Sequence, residues 1–341
     1  MMKNLRAVIT PGLDLEKAIA ISEFEAPQPK ADEVIVRMRA CSLNYRDLII
    51  SEGGYPGINA GESIVPLSDG SGEVIQIGSN VTKWKVGDRV ISSFFQDWID
   101  GPFVAGHMKT ALGGGIDGVL CTLRAFPEHG LARLSDKLTW EEGSTLPCAA
   151  LTAWHALFEK SRLDPSQTVL TLGTGGVSTF ALQFAKKSGA KVIATSSSIH
   201  KFRRLEQMGA DEIINYQENP DWDQIVLKKT QGKGVDHVIE VGGAGTMPRS
   251  MAALKNGGRL SLIGRLTGIE DRIDPRPIMG KGLSVQGIYV GSVAMLERMS
   301  SAIEQNSIEP IIDKVFPIEE AAAAYKHLRG ASHFGKIVIT L

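Results

Sequence analysis

The sequence predicts an α/β protein built as a β-rich, barrel-like part joined to a doubly wound parallel sheet. Three observations carry that prediction. A chain of 341 residues is too long for one ordinary core and suits two domains. Residues 1–139 contain "RAVIT", "DEVIVRMRACSL" and "GEVIQIGSNVTKWKVGDRVI", stretches rich in β-branched residues and separated by Gly or Pro. From Thr168 onward the pattern changes to short apolar runs alternating with helical periodicity, which is how a parallel sheet covered on both faces reads.

Taken in order, "TVLTLG" is a buried strand, and "VSTFALQFAKKSG" is a helix entered from a glycine turn. "KVIATSS" is the next strand, "HKFRRLEQMG" a helix, and "DEIINY" a third strand. "VDHVIEVGG", "GRLSLIG" and "LSVQGIYVG" continue the sheet. An amphipathic helix follows near 293–305, and "GKIVITL" closes the chain as a strand. On pattern alone this tail could be a last βα unit or a return to the first domain. The 37 glycines fall largely at strand ends, as repeated βα turns require.

Composition narrows the function. Lys plus Arg is 37 against Asp plus Glu 38, without a long run of one sign, so no nucleic-acid or anionic-membrane surface is expected and a small ligand is the expected partner. No stretch reaches about 18 uninterrupted apolar residues, so neither a signal peptide nor a membrane span is read and the expected location is cytoplasmic. Cys41, Cys121 and Cys148 are far apart and form no C-x-x-C pair, which suits a reducing compartment and argues against a disulfide framework.

The segment "VLTLGTGGVSTFALQFAKKSGAKVIATSSS" has the order strand, glycine turn, helix, strand. Gly173 and Gly175 permit a tight turn and close approach of backbone to a pyrophosphate, which Thr174, Gly176 and Val177 would flank at the helix N-terminus. The third glycine of the usual G-x-G-x-x-G pattern is replaced by Ser178. Sites for NAD place Asp or Glu about 20 residues later to hold the ribose 2′-hydroxyl. Here the strand ends in hydroxyls and a base, and Ser196, Ser197 and Lys201 form a candidate pocket for the 2′-phosphate of NADP(H). Arg203 and Arg204 read as a solvated helix face, and Tyr216 is a candidate to close over the adenosine.

At this point the chain resembles the medium-chain dehydrogenase/reductase superfamily, in its zinc-free, quinone oxidoreductase-like branch. The resemblance runs the full length, through "ACSLNYRD", "PLSDGSGEVIQIGSNVTKWKVGDRV", "LPCAALTAWHAL", "LGTGGVSTFALQFAK", "GADEIINY" and "FGKIVI". It implies a GroES-like catalytic domain (1–139, with a return at 292–341) around a Rossmann NADP(H)-binding domain at 140–291, and an active site in the cleft between them. In the zinc alcohol dehydrogenases of that family, the catalytic metal is held at positions that correspond to Asn44, Ser68 and Cys148. Asn and Ser are poor zinc ligands, and the four clustered cysteines of the structural zinc lobe are missing between 90 and 125. No metal is therefore expected, and Cys41 and Cys148 are read as core residues, Cys148 with a lesser alternative as a reactive thiol.

The resemblance further implies hydride transfer from NADPH to an electron-poor acceptor, a quinone or conjugated enone. Asn44 is expected to donate to the acceptor oxygen or the ribose, Thr152 to orient the nicotinamide, and Tyr55 to line the pocket and help protonate the product. Gly242, Phe334 and Lys336 are further expected cofactor contacts. Asp47 reads as a helix cap, and Phe94, Phe95 and Trp98 as either an acceptor wall or core. Alternatives are a non-catalytic NADPH-binding structural or regulatory protein, an alkenal or enoyl-thioester reductase, and last a zinc alcohol dehydrogenase. The strand "LSVQGIYV" is a candidate homodimer edge.

Overall fold

The computed structural model describes residues 4–55, 61–268 and 273–341. The chain divides into two compact units: Met1–Leu151 with Val290–Leu341, and Thr152–Tyr289. Strands run in chain order as β1 (Leu5–Ile9), β2 (Ile19–Glu23), β3 (Glu33–Ser42), β4 (Asp69–Ile77), β5 (Arg89–Ser92), β6 (Leu123–Pro127) and β7 (Leu131–Arg133). Then come β8 (Thr168–Thr171), β9 (Lys191–Ser196), β10 (Glu212–Asn215), β11 (Val235–Glu240), β12 (Leu254–Leu262), β13 (Ser284–Gly287), β14 (Ile312–Pro317) and β15 (Lys336–Thr340).

In the first unit the order is β14-β15-β3-β4-β5-β7, with β6 also paired to β3. The long strand β3 is central, and its β-branched and apolar residues Val34, Val36, Met38 and Cys41 bury into one core with Leu43, Leu67 and Leu120. The chain's last strand closes this sheet: β15 runs antiparallel to β3, with Val338 opposite Ser42 and Thr340 opposite Ala40. The tail is thus a return to the first unit.

The sequence places the first boundary after 139, whereas the division falls at 151/152. The helix Trp140–Ser144 is tied to the β-sheet, which explains the shift. Ser71 donates its hydroxyl to Trp140 O at 2.5 Å and Ser42 to Ser144 O at 2.8 Å. The Arg89 guanidinium lies 4.2 Å from the centre of the Trp140 indole. Phe94, Phe95 and Trp98 settle as core: all three are buried, and Phe95 and Trp98 pack against Phe103.

In the second unit six parallel strands are ordered β10-β9-β8-β11-β12-β13. The Val, Ile and Leu of the inner strands β9, β8 and β11 are buried, as covering helices require, whereas the edge strand β13 is largely exposed. The order reverses between β8 and β11, the place where open α/β sheets bind ligands beyond their carboxyl ends. No helix among the described residues is long and apolar enough to cross a membrane.

Candidate active site

Two constellations of side chains matter, one in each unit. In the second, β8 ends at Thr171 and the helix Gly176–Lys187 begins five residues later. Gly173 takes φ +72°, a conformation that L side chains rarely adopt, and its N–H donates to Thr195 Oγ1 at 3.1 Å. Gly175 is the N-cap and supplies no side-chain cap, so the helix's first N–H groups are left for a ligand. A Cβ built on Gly173 or Gly175 would meet no protein atom within 4 Å, so the turn faces open space. Ser178, which departs from the glycine pattern, donates its hydroxyl to Leu172 O at 2.6 Å and pins the helix start to the strand end.

Beside this turn β9 ends in Ser196, which is buried, and Ser197, which is half-buried. Lys201 reaches back from the next turn and donates to Thr174 Oγ1 at 3.1 Å. The Ser196 hydroxyl donates to Ser198 O at 3.1 Å and accepts from Ser198 N at 3.2 Å, so it is spent within the protein, while Lys201 joins the turn at the carboxyl end of β8 and no carboxylate follows on β9. Val177 lies in the first helical turn, half-buried. Tyr216 N bonds Ser196 O at 3.0 Å, and its ring packs against the unit's core. Thr152 is buried in the short helix Leu151–Trp154. The cradle fits a dinucleotide: open glycine backbone and a free helix N-terminus for a pyrophosphate, hydroxyls and a cation for a ribose phosphate.

Glu240 is a further residue of this region, with no part in the sequence expectations. This buried residue at the end of β11 accepts from Gly242 N at 2.7 Å, Gly243 N at 3.0 Å and Thr246 Oγ1 at 2.6 Å, and from the Ser250 hydroxyl. It shapes the loop beyond β11, so the Gly242 N–H is already spent within the protein. A Cβ on Gly242 would stand 2.2 Å from Thr246 Oγ1, which is why glycine is needed there. The signal was an acid followed by two glycines in "VIEVGGAG".

In the first unit, Asn44 is the N-cap of the helix Tyr45–Ser51, and its backbone N–H donates to Asp47 Oδ2 at 2.7 Å. Asp47 therefore caps. Burial pushes its carboxyl up to about 6, against the lowering pull of Arg46 and of the Asn44 N–H. The Arg46 guanidinium lies 4.9 Å from the ring centre of Tyr55 and 4.5 Å from that of Phe94, and donates to Leu112 O at 2.7 Å.

Lys336, only 3 % exposed, opens β15 and points its ammonium at this cap. It donates to Leu43 O and to Asn44 Oδ1, each at 2.6 Å, and stands 3.6 Å from Asp69 Oδ2. Asp69, fully buried, accepts from Ser68 Oγ at 2.7 Å and Cys148 N at 3.2 Å. An unpaired buried ammonium would cost several kcal/mol, and these partners offset that. Phe334 is buried, and its N–H donates to Asp313 Oδ1 at 2.9 Å. The half-buried Cys148 lies in a π-helical turn, Leu146–Ala150, and burial followed by the Asp69 carboxylate raises its thiol, keeping it protonated. Cys41, in the core, gives its thiol to Val119 O at 3.1 Å.

Of the three positions that hold a metal in zinc relatives, Asn44 and Ser68 do not suit one here, which leaves Cys148 alone. The Asn44 oxygen faces an ammonium, which would repel a metal cation bound beside it. The Ser68 hydroxyl is taken by Asp69. Among the described residues no group of three or more His, Cys, Asp or Glu is placed to share a metal ion.

Comparison with known proteins agrees with this layout. A family model described as "Alcohol dehydrogenase GroES-like domain" matches residues 30–136, and one described as "Zinc-binding dehydrogenase" matches residues 176–305. A zinc-type alcohol dehydrogenase-like protein of Schizosaccharomyces pombe is 42% identical over 94% of this chain and 94% of its own. The quinone oxidoreductase of Mus musculus is 28% identical over 97% of this chain and 99% of its own. A protein of Sinorhizobium meliloti 1021, solved by crystallography and assigned as an alcohol dehydrogenase, is 38% identical, covers 100% of both chains and superposes with a TM-score of 0.90.

Proposed function

Since the chain belongs to the medium-chain dehydrogenase/reductase superfamily of nicotinamide-dependent oxidoreductases, we propose that it is a zinc-independent NADPH reductase of quinones or conjugated carbonyls. One observation carries this reading: the site where zinc relatives place their metal is filled by the Lys336–Asn44 and Ser68–Asp69 hydrogen bonds. Without a Lewis acid to polarise a simple ketone, the accessible acceptors are those already poor in electrons. The likeness to mouse quinone oxidoreductase supports that substrate class.

NADPH, when bound, supplies the hydride. The open turn at Gly173 and Gly175 and the first N–H groups of the helix Gly176–Lys187 hold the pyrophosphate. Ser197 and Lys201 hold the 2′-phosphate, with the buried Ser196 shaping the turn beneath them through its bond to Ser198 O, and the lack of a carboxylate at the end of β9 removes the partner a free 2′-hydroxyl would need. Thr152 orients the nicotinamide. The Asn44 amide donates to the acceptor's oxygen, where negative charge develops as the hydride arrives at carbon, and Tyr55 lines the acceptor's side. The edge strand β13, paired on one side only among the described residues, is the surface proposed to meet a second copy, and sedimentation as a monomer at micromolar concentration would count against it.

Fluorescence titration of NADPH against NADH tests the cofactor, with NADPH expected to bind more tightly. Asn44→Ala tests the donor, with kcat/KM expected to fall about 10²-fold, and full activity in that variant would remove Asn44 from the mechanism.

A further inference from the structure

We propose that Lys336 is a positioning residue that works through Asn44, its ammonium both fixing which end of the amide faces the acceptor and strengthening that end as a donor. The inference rests on the donor role given to Asn44 above.

Hydrogen-bond chemistry fixes the amide. A lysine ammonium has three donors and no acceptor, so the Asn44 atom 2.6 Å from it has to be the carbonyl oxygen. The Asn44 NH2 group is therefore turned away from Lys336, and it is buried without a hydrogen-bond partner. A buried donor left unmade costs about 1–3 kcal/mol, a cost that an acceptor atom of a bound ligand would remove. Asn44 is clamped from both sides: its backbone N–H by Asp47 at 2.7 Å, its side-chain oxygen by Lys336. The clamp is itself anchored, because Leu43 O and Asp69 hold the ammonium, and Asp69 is held by Ser68 Oγ and Cys148 N.

Position is half of the effect. A cation on the carbonyl oxygen withdraws electron density from the amide nitrogen, and hydrogen bonds linked in a chain polarise one another, strengthening each by about 10–30%. The chain ammonium, carbonyl, NH2, acceptor oxygen would thus pass part of the lysine charge to the oxygen that becomes negative. Lys336 stays bonded to Asn44 throughout and donates no proton to the product.

A double-mutant cycle tests this, with NADPH and 9,10-phenanthrenequinone as the probe pair and NADPH binding measured separately by fluorescence. Lys336→Met is expected to lower kcat/KM on the order of tenfold in the parent chain, and by less than about twofold once Asn44→Ala is present. The NADPH Kd should stay within about twofold in either background. An equal loss in both backgrounds would overturn the inference, and so would a tenfold weaker NADPH Kd, which would make Lys336 a direct cofactor contact. Loss in Asn44→Ala with none in Lys336→Met would refute the lysine's role alone; no loss in Asn44→Ala would refute the donor reading and this inference with it. Lys336→Gln, neutral and able to donate to Leu43 O, serves by the same criteria if Lys336→Met does not fold. In the nucleotide-free protein labelled with 15N-asparagine, the Asn44 NH2 resonances are expected to move when Lys336 is replaced. Unchanged resonances would show that the ammonium does not hold the amide.

Discussion

Asp47 carries a penalty that pH should expose. Its carboxyl is buried to 1 % exposure and its folded-state pKa is about 6, against 3.8 for an ordinary Asp. Held against the ordinary value, that rise corresponds to a penalty of roughly 3 kcal/mol when the group is fully ionised. Because the folded-state value is raised, the folded protein keeps a proton between pH 3.8 and 6 that the unfolded chain has released. Stability therefore falls as pH rises through that window, and the full penalty stands above it. Asp47→Asn keeps an oxygen that accepts from the Asn44 N–H and never ionises. In the two-state expression about 1 kcal/mol of the penalty is present at pH 4.5 and about 3 kcal/mol at pH 8. The stability of Asp47→Asn relative to the parent should therefore grow by about 2 kcal/mol between those pH values. Urea unfolding followed by tryptophan fluorescence reads this difference in the transition of the first unit, and the subtraction cancels the other carboxylates. A difference that stays level within about 0.5 kcal/mol, or that shrinks as pH rises, would refute the reasoning.

Other outcomes follow from the same geometry. Lys201→Ala should weaken NADPH binding by about 10- to 100-fold and leave NADH within about threefold, since only the 2′-phosphate loses a charged partner; equal effects on both nucleotides would place Lys201 elsewhere. Gly175→Val should fold normally, because φ is −75° and the Cβ meets open space, yet lose nucleotide binding by more than about 100-fold as the side chain fills the cradle. Ellman's reagent at pH 8 should leave all three cysteines of the native protein unmodified and count three after denaturation. Burial raises every one of these thiols, and rapid labelling of Cys148 would contradict that.

Local pattern made much of this protein readable. The strand, glycine turn, helix order around Gly173 was readable because each part is set by residues within about one βα unit. Asp47 was readable as a cap for the same reason. The helix Trp140–Ser144 has an ordinary helical sequence, and only its bonds to Ser42 and Ser71 tie it to the β-sheet, so a division at 151/152 is not legible in the local pattern. Lys336 was placed by resemblance among cofactor contacts. Its bond to Asn44 spans 292 positions and depends on the antiparallel register of β15 against β3, which no local pattern encodes. Glu240 was missed because a buried acid among glycines looks, in one dimension, like an exposed turn.

The central claim, zinc-independent reduction of electron-poor carbonyls with NADPH, is tested most directly by one assay. After exhaustive chelation and metal analysis, NADPH oxidation is followed against a panel of quinones, enones, alkenals, enoyl thioesters and simple ketones. Metal-free protein is expected to turn over quinones or conjugated carbonyls and to leave simple ketones untouched. Activity that disappears on chelation and returns with about one zinc per chain, or turnover of simple ketones, would contradict it.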